Sequence, residues 1–91
     1  MQIVRVDLGR GEIGAQWTLP TGAFADLVWA HSRQDEALEH LRVHTAPDRI
    51  EIVLFLCVPK RKCAEETAQR ICSRVVQLVP GLQGWFVRTP W

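Results

Sequence analysis

The stretch from Asp48 to about Thr89 reads as a strand, a long helix and a second strand, and this unit constrains the fold more than any other part of the chain. Its first member, Asp48–Val58, contains the longest apolar run, Ile52–Val58. A strand that is apolar without alternation asks for cover on both faces, so it is predicted to lie centrally in its sheet. Pro59 follows at the first turn of a helix, where its missing N–H would have had no partner anyway. Within Lys60–Val79, Ala64, Ala68, Ile71, Cys72, Val75 and Val79 recur at three- and four-residue steps, the period of one buried helix face. Glu66 stands four residues ahead of Arg70 on the exposed side, and Pro80-Gly81 ends the helix. Trp85–Thr89 is the closing strand, and Pro90 prevents much extension. A helical crossover of this kind brings its two strands parallel, with a right-handed connection if they share a sheet.

The first half of the chain supplies the remaining layers. Gln2–Leu8 alternates, with Val4, Val6 and Leu8 on one side and Arg5 and Asp7 on the other, the pattern of a half-buried strand. Gly9-Arg10-Gly11 supplies turn chemistry, and Ile13–Leu19 could return as the second arm of a hairpin. Residues Ala23–His31 fit either a short helix capped by Thr21 or a strand. From Ser32 onward a cap, the acidic pair Asp35 and Glu36, and the stripe Ala37, Leu38 and Leu41 predict a helix over Arg33–Val43. These elements together predict a single α+β domain over residues 1–91. Its expected form is a ferredoxin-like two-layer sandwich, in which a mixed or antiparallel sheet of about four strands carries two helices on one face.

Composition narrows the function classes. Eleven Lys and Arg balance ten Asp and Glu, for a formal net charge of +1, so nucleic acid is not the expected partner. A weaker reading of that kind would use Lys60–Lys62 with Arg70 and Arg74. No apolar run approaches the roughly 18 residues a membrane span needs, and no signal-peptide architecture opens the sequence, so a cytoplasmic protein without a membrane partner is expected. Three cysteines without CxxC spacing argue against a disulfide framework or a zinc knuckle. No P-loop, dinucleotide fingerprint or nucleophile elbow occurs, so no cofactor and no catalytic residue are assigned.

Three groups of side chains could carry chemistry. Lys60, Arg61 and Lys62 place cations at a helix start, where they oppose the macrodipole and could instead hold an anion with the free N–H groups. Cys63 sits in that turn, about half a helical revolution from Cys72, and is the candidate reactive thiol, expected to react well before Cys57 or Cys72. His40 and His44, with Glu36, would form a stripe on a helix, yet the ligand set is incomplete and no metal is expected. The aromatic set Trp17, Trp29, Trp85, Trp91, Phe24, Phe55 and Phe86 exceeds what so small a core easily hides. Trp17, Trp85, Phe86, Arg88 and Trp91 are therefore the candidate partner-binding residues, because tryptophan beside arginine is typical of interface anchors. Trp17 and Trp85 could equally form a lid on the core. The leading expectation is a small interaction or accessory module that binds a protein partner or forms a homodimer through an exposed sheet face and tryptophans. The alternative is a small-ligand binder or enzyme of dimeric α+β barrel type, with a pocket between sheet and helices.

Overall fold

The computed structural model describes residues 1–88. Its order is β1 (Gln2–Arg10), α1 (Thr21–His31), β2 (Leu38–Thr45), β3 (Arg49–Leu56), α2 (Arg61–Leu78) and β4 (Trp85–Val87), with short 3-10 turns at Gln34–Glu36 and Pro80–Leu82. The four strands form one sheet in the order β2-β3-β1-β4, and every neighbouring pair is antiparallel. Two helices on one face complete an α+β arrangement compatible with the ferredoxin-like plan. Because β3 and β4 are each antiparallel to β1, they run parallel to one another with β1 between them, as the Asp48–Thr89 unit requires. The Thr89 end of that unit lies outside the described residues.

Alternation fixes which side is the core. Val4, Val6 and Leu8 of β1 pair with Leu54, Ile52 and Ile50 of β3, and all six are fully buried. α2 lays Ala64, Ala68, Ile71, Cys72 and Val75 onto them, and α1 adds Phe24 and Val28. Small alanines let α2 approach the sheet closely, while the larger Ile71 and Val75 fill the space between. Two indoles close the core. Trp17 meets Phe24 edge-on at 5.2 Å, and Trp85 Nε1 donates to the Ala15 carbonyl at 2.8 Å.

Three local expectations change. Arg33–Val43 is not a helix: after the 3-10 turn the chain enters β2, with Leu41 and Val43 inward and His40, Arg42 and His44 outward. Ala37 makes the break, at φ 58, and its carbonyl accepts from the Cys57 amide at 2.9 Å. Pairing along β3 outweighs the weak helical spacing of Ala37, Leu38 and Leu41. Ser32 does not start a helix but closes α1, its hydroxyl donating to the Trp29 carbonyl at 2.9 Å. The segment read two ways, Ala23–His31, lies within that helix, whose N-cap is Pro20 rather than Thr21. Residues 11–20 form no return strand. They cross the end of the sheet as a loop held by Gly11 N to Gly84 O at 2.9 Å and Trp17 N to Pro47 O at 3.1 Å. Gly84 stands at φ 87, where a Cβ would meet the Gly14 nitrogen at 2.7 Å, so this crossing requires glycine.

Candidate interaction surface

Both helices lie on the Val4–Val6–Leu8 side, so the opposite face of the sheet has no cover among the described residues. The strand period decides what stands on it. In β3, Arg49, Glu51, Val53 and Phe55 alternate with the buried set, and none of them is buried. The continuous run Ile52–Val58 predicted cover on both faces; β3 is indeed flanked by two strands, but the described residues cover it on one face only.

The middle of the face is an ion-pair network. Asp7 of β1 and Glu51 of β3 are directly paired across the sheet, an unfavourable opposition of like charges. Arg5 and Arg49, one step away on either side, bridge it. Arg5 Nε lies 3.3 Å from Asp7 Oδ1, and its Nη2 lies 3.0 Å from Glu51 Oε2. Arg49 Nη2 is 3.6 Å from both Asp7 Oδ2 and Glu51 Oε2. The hydrogen bond that Arg5 donates to Asp7, then the charges of Asp7 and Glu51, raise the Arg5 pKa above its ordinary value. Arg42 is exposed beside Val53 and joins no ion pair among the described residues.

Apolar groups flank this network. At one end Ile3 pairs with Phe55, and Phe55 packs on His40 with ring centroids 5.1 Å apart. At the other, Phe86 of β4 is paired with Gly9. A Cβ on Gly9 would lie 2.4 Å from Arg88 Cδ and 3.1 Å from Phe86 Cζ, so the missing side chain lets both residues lie across the sheet.

The other sequence candidates are scattered. Trp17 and Trp85 are buried in the core, the lid position, while Phe86 and Arg88 reach the surface. Trp29 is exposed on α1, in the helical layer, and Trp91 lies outside the described residues. Lys60, Arg61 and Lys62 are exposed at the start of α2. Arg61 pairs with Glu65 at 3.6 Å and donates to the Ile3 carbonyl, tying the helix start to β1. His40 and His44 share the outward face of β2, but Glu36 turns away from them. No group of three His, Cys, Asp or Glu side chains that could hold a metal occurs among the described residues.

Cys63 is exposed and Cys72 is buried, as the helix phase requires, and burial pushes the Cys72 thiol up to about 12. Cys57 is exposed as well, because β3 ends one residue earlier. In native protein two thiols, Cys57 and Cys63, are therefore expected to react promptly with a maleimide while Cys72 waits for unfolding, and peptide mass mapping checks this. Labelling of Cys72 at the same rate would contradict the packing of α2.

Sequence reading missed one site altogether. Glu36 is 4% exposed, and its carboxylate is fully hydrogen-bonded. Oε1 accepts from the Arg33 amide at 2.7 Å and Arg74 Nη1 at 2.9 Å; Oε2 accepts from Arg74 Nη2 at 2.9 Å and Arg70 Nε at 3.3 Å. Arg74 also donates to the His31 carbonyl at 2.7 Å, so one cluster fastens the α1–β2 connection to α2. Burial alone would raise the Glu36 pKa, but the bonds from Arg74, the Arg33 amide and Arg70, with the Arg74 charge, bring it down to about 2.

Comparison with protein-family models, with curated proteins and with solved structures finds no match for the chain.

Proposed function

We propose that the chain is a non-enzymatic interaction module whose working surface is the uncovered sheet face and whose partner is a second copy of itself. The observation that carries this reading is the outward half of the β3 run. A strand with one solvated face normally alternates polar outward, yet Val53 and Phe55 stand there half-buried. Ile3, paired with Phe55, is 52% exposed, and Phe86 is 49% exposed. Covering them would gain about 25 cal/mol per Å² of apolar area removed from water. Core packing needs none of these outward side chains.

The charges support a protein partner of matching pattern. Asp7 and Glu51 neutralise Arg5 and Arg49, which leaves the face without the unbroken cationic surface that a polyanion favours. Both signs stand side by side, so a two-fold packing can set the unpaired Arg42 of one copy against Glu51 of the other. A ligand pocket between sheet and helices would need the volume that Val6, Ile52, Ile71 and Val75 fill with zero exposure.

Sedimentation equilibrium tests the reading. Wild type is expected to self-associate reversibly, and the double substitution Ile3→Glu with Phe55→Glu is expected to remove association while leaving the circular dichroism spectrum intact. A wild type that stays monomeric at every concentration would contradict a second copy as the partner. Association untouched by the substitutions would contradict the face.

A further inference from the structure

The Glu36 cluster holds more positive charge than the fold requires. One buried carboxylate is neutralised by one guanidinium, and Arg74 already meets Glu36 with two parallel bonds. Arg70 adds a second guanidinium, through Nε to Glu36 and Nη2 to Thr67 Oγ1 at 3.2 Å, leaving Nη1 without a hydrogen bond among the described residues. Arg33 is a third: its backbone amide serves Glu36, while its exposed guanidinium has no partner among the described residues. Two other carboxylates stand near: Asp35, exposed, acts on Arg74 through its charge, and Glu66, one turn ahead of Arg70 on α2, joins no ion pair among the described residues. Of the carboxylates around these three guanidiniums, Glu36 alone is hydrogen-bonded to them among the described residues, which leaves donors of Arg33 and Arg70 facing solvent.

The surplus borders a depression of about 410 Å³ lined by Arg33, Arg70, Ser73, Arg74, Gln77 and Leu78. Five of these lie on α2 at three- and four-residue steps, so they share one face of the helix. Arg70 is 56% exposed at its side chain and Arg74 is 14% exposed, which gives one solvent-facing cation and one largely enclosed one. The Ser73 hydroxyl and the Gln77 amide add neutral donors between and beyond them. Guanidinium forks with a hydroxyl beside them match the oxygens of a tetrahedral anion.

The geometry points to an oxyanion site in this depression, taking a phosphate group either free or as a monoester on a larger molecule, with Arg33, Arg70 and Ser73 as its contacts. It lies in the helical layer, apart from the sheet face, so both surfaces can be occupied together. Nitrogen-15 NMR titration of the intact chain tests it with inorganic phosphate, glycerol phosphate and sodium chloride at equal ionic strength. Saturable shifts are expected at the Ser73 and Gln77 amides and the Arg70 side chain with both phosphates and not with chloride. Tighter binding of glycerol phosphate assigns the site to monoesters, and tighter binding of inorganic phosphate assigns it to the free anion. Arg33→Ala keeps the backbone bond to Glu36 and is expected to weaken binding about tenfold, the loss of one charge-assisted contact, with Arg33→Lys recovering part. Equal response to chloride, no saturation, or an Arg33→Ala variant that titrates like wild type would overturn the site.

Discussion

Glu36→Ala is expected to destabilise the fold by about 3 kcal/mol, read as a lower urea midpoint at unchanged slope. The effect is large because the substitution leaves Arg74, 14% exposed at its side chain, without the carboxylate that neutralises it. It also strips the acceptor from the Arg33 amide and from Arg70 Nε. Breaking one side of a buried pair is far more damaging than replacing both sides, so a Glu36→Leu, Arg74→Met double variant should recover much of the loss. The same pair makes stability pH-dependent. Glu36 is held at about 2 in the folded protein against 4.5 for the ordinary group, so between those values the unfolded chain binds the extra proton. The contribution is therefore complete above about pH 4.5 and is lost as pH falls through about 2. Denaturation curves across that window should show wild type losing stability towards Glu36→Gln, whose stability lacks this dependence.

Phe24→Ala is expected to cost about 4 kcal/mol. Phe24 is fully buried where α1 meets the sheet, and its ring is the edge-on partner of Trp17. Removing it opens a cavity and also frees the loop that Trp17 seals. Trp29→Ala on the same helix is the control: that indole is 43% exposed and should change stability by less than about 1 kcal/mol. Equal losses at the two positions would mean that α1 is rotated from the phase described.

α1 shows why part of the fold was not legible. Leu27-Val28-Trp29 suits helix and strand alike, and the deciding contact, Trp17 on Phe24, lies outside any local window. β2 was misread for a related reason. Ala37, Leu38 and Leu41 fall at helical spacing, whereas Leu41, Val43 and Thr45 alternate, and only pairing with Leu54, Ile52 and Ile50 makes the second pattern win. α2, by contrast, could be read directly, because Pro59 and Pro80-Gly81 bracket an unambiguous stripe and leave the period no competitor.

The surfaces were legible in the same uneven way. Val53 and Phe55 stood in plain view as part of an unbroken apolar run, but which of them point outward depends on register with β1. The Asp7–Glu51 opposition and its two bridging arginines join residues more than 40 positions apart, beyond the reach of periodicity. Glu36 read as a dipole-complementing residue of a helix that does not form; its real partners, Arg70 and Arg74, are 34 and 38 positions away. Composition overstated the tryptophans as surface anchors, because Trp17 and Trp85 find room in the core at the sheet end.

The most direct measurement of the proposed function is a dilution series of wild-type protein followed by amide NMR. If the uncovered face binds a second copy, the concentration-dependent shifts will cluster at Ile3, Arg5, Arg42, Val53, Phe55 and Phe86, and the outward amides of α1 and α2 will stay fixed. Shifts confined to the helices, or none at any concentration, would contradict it.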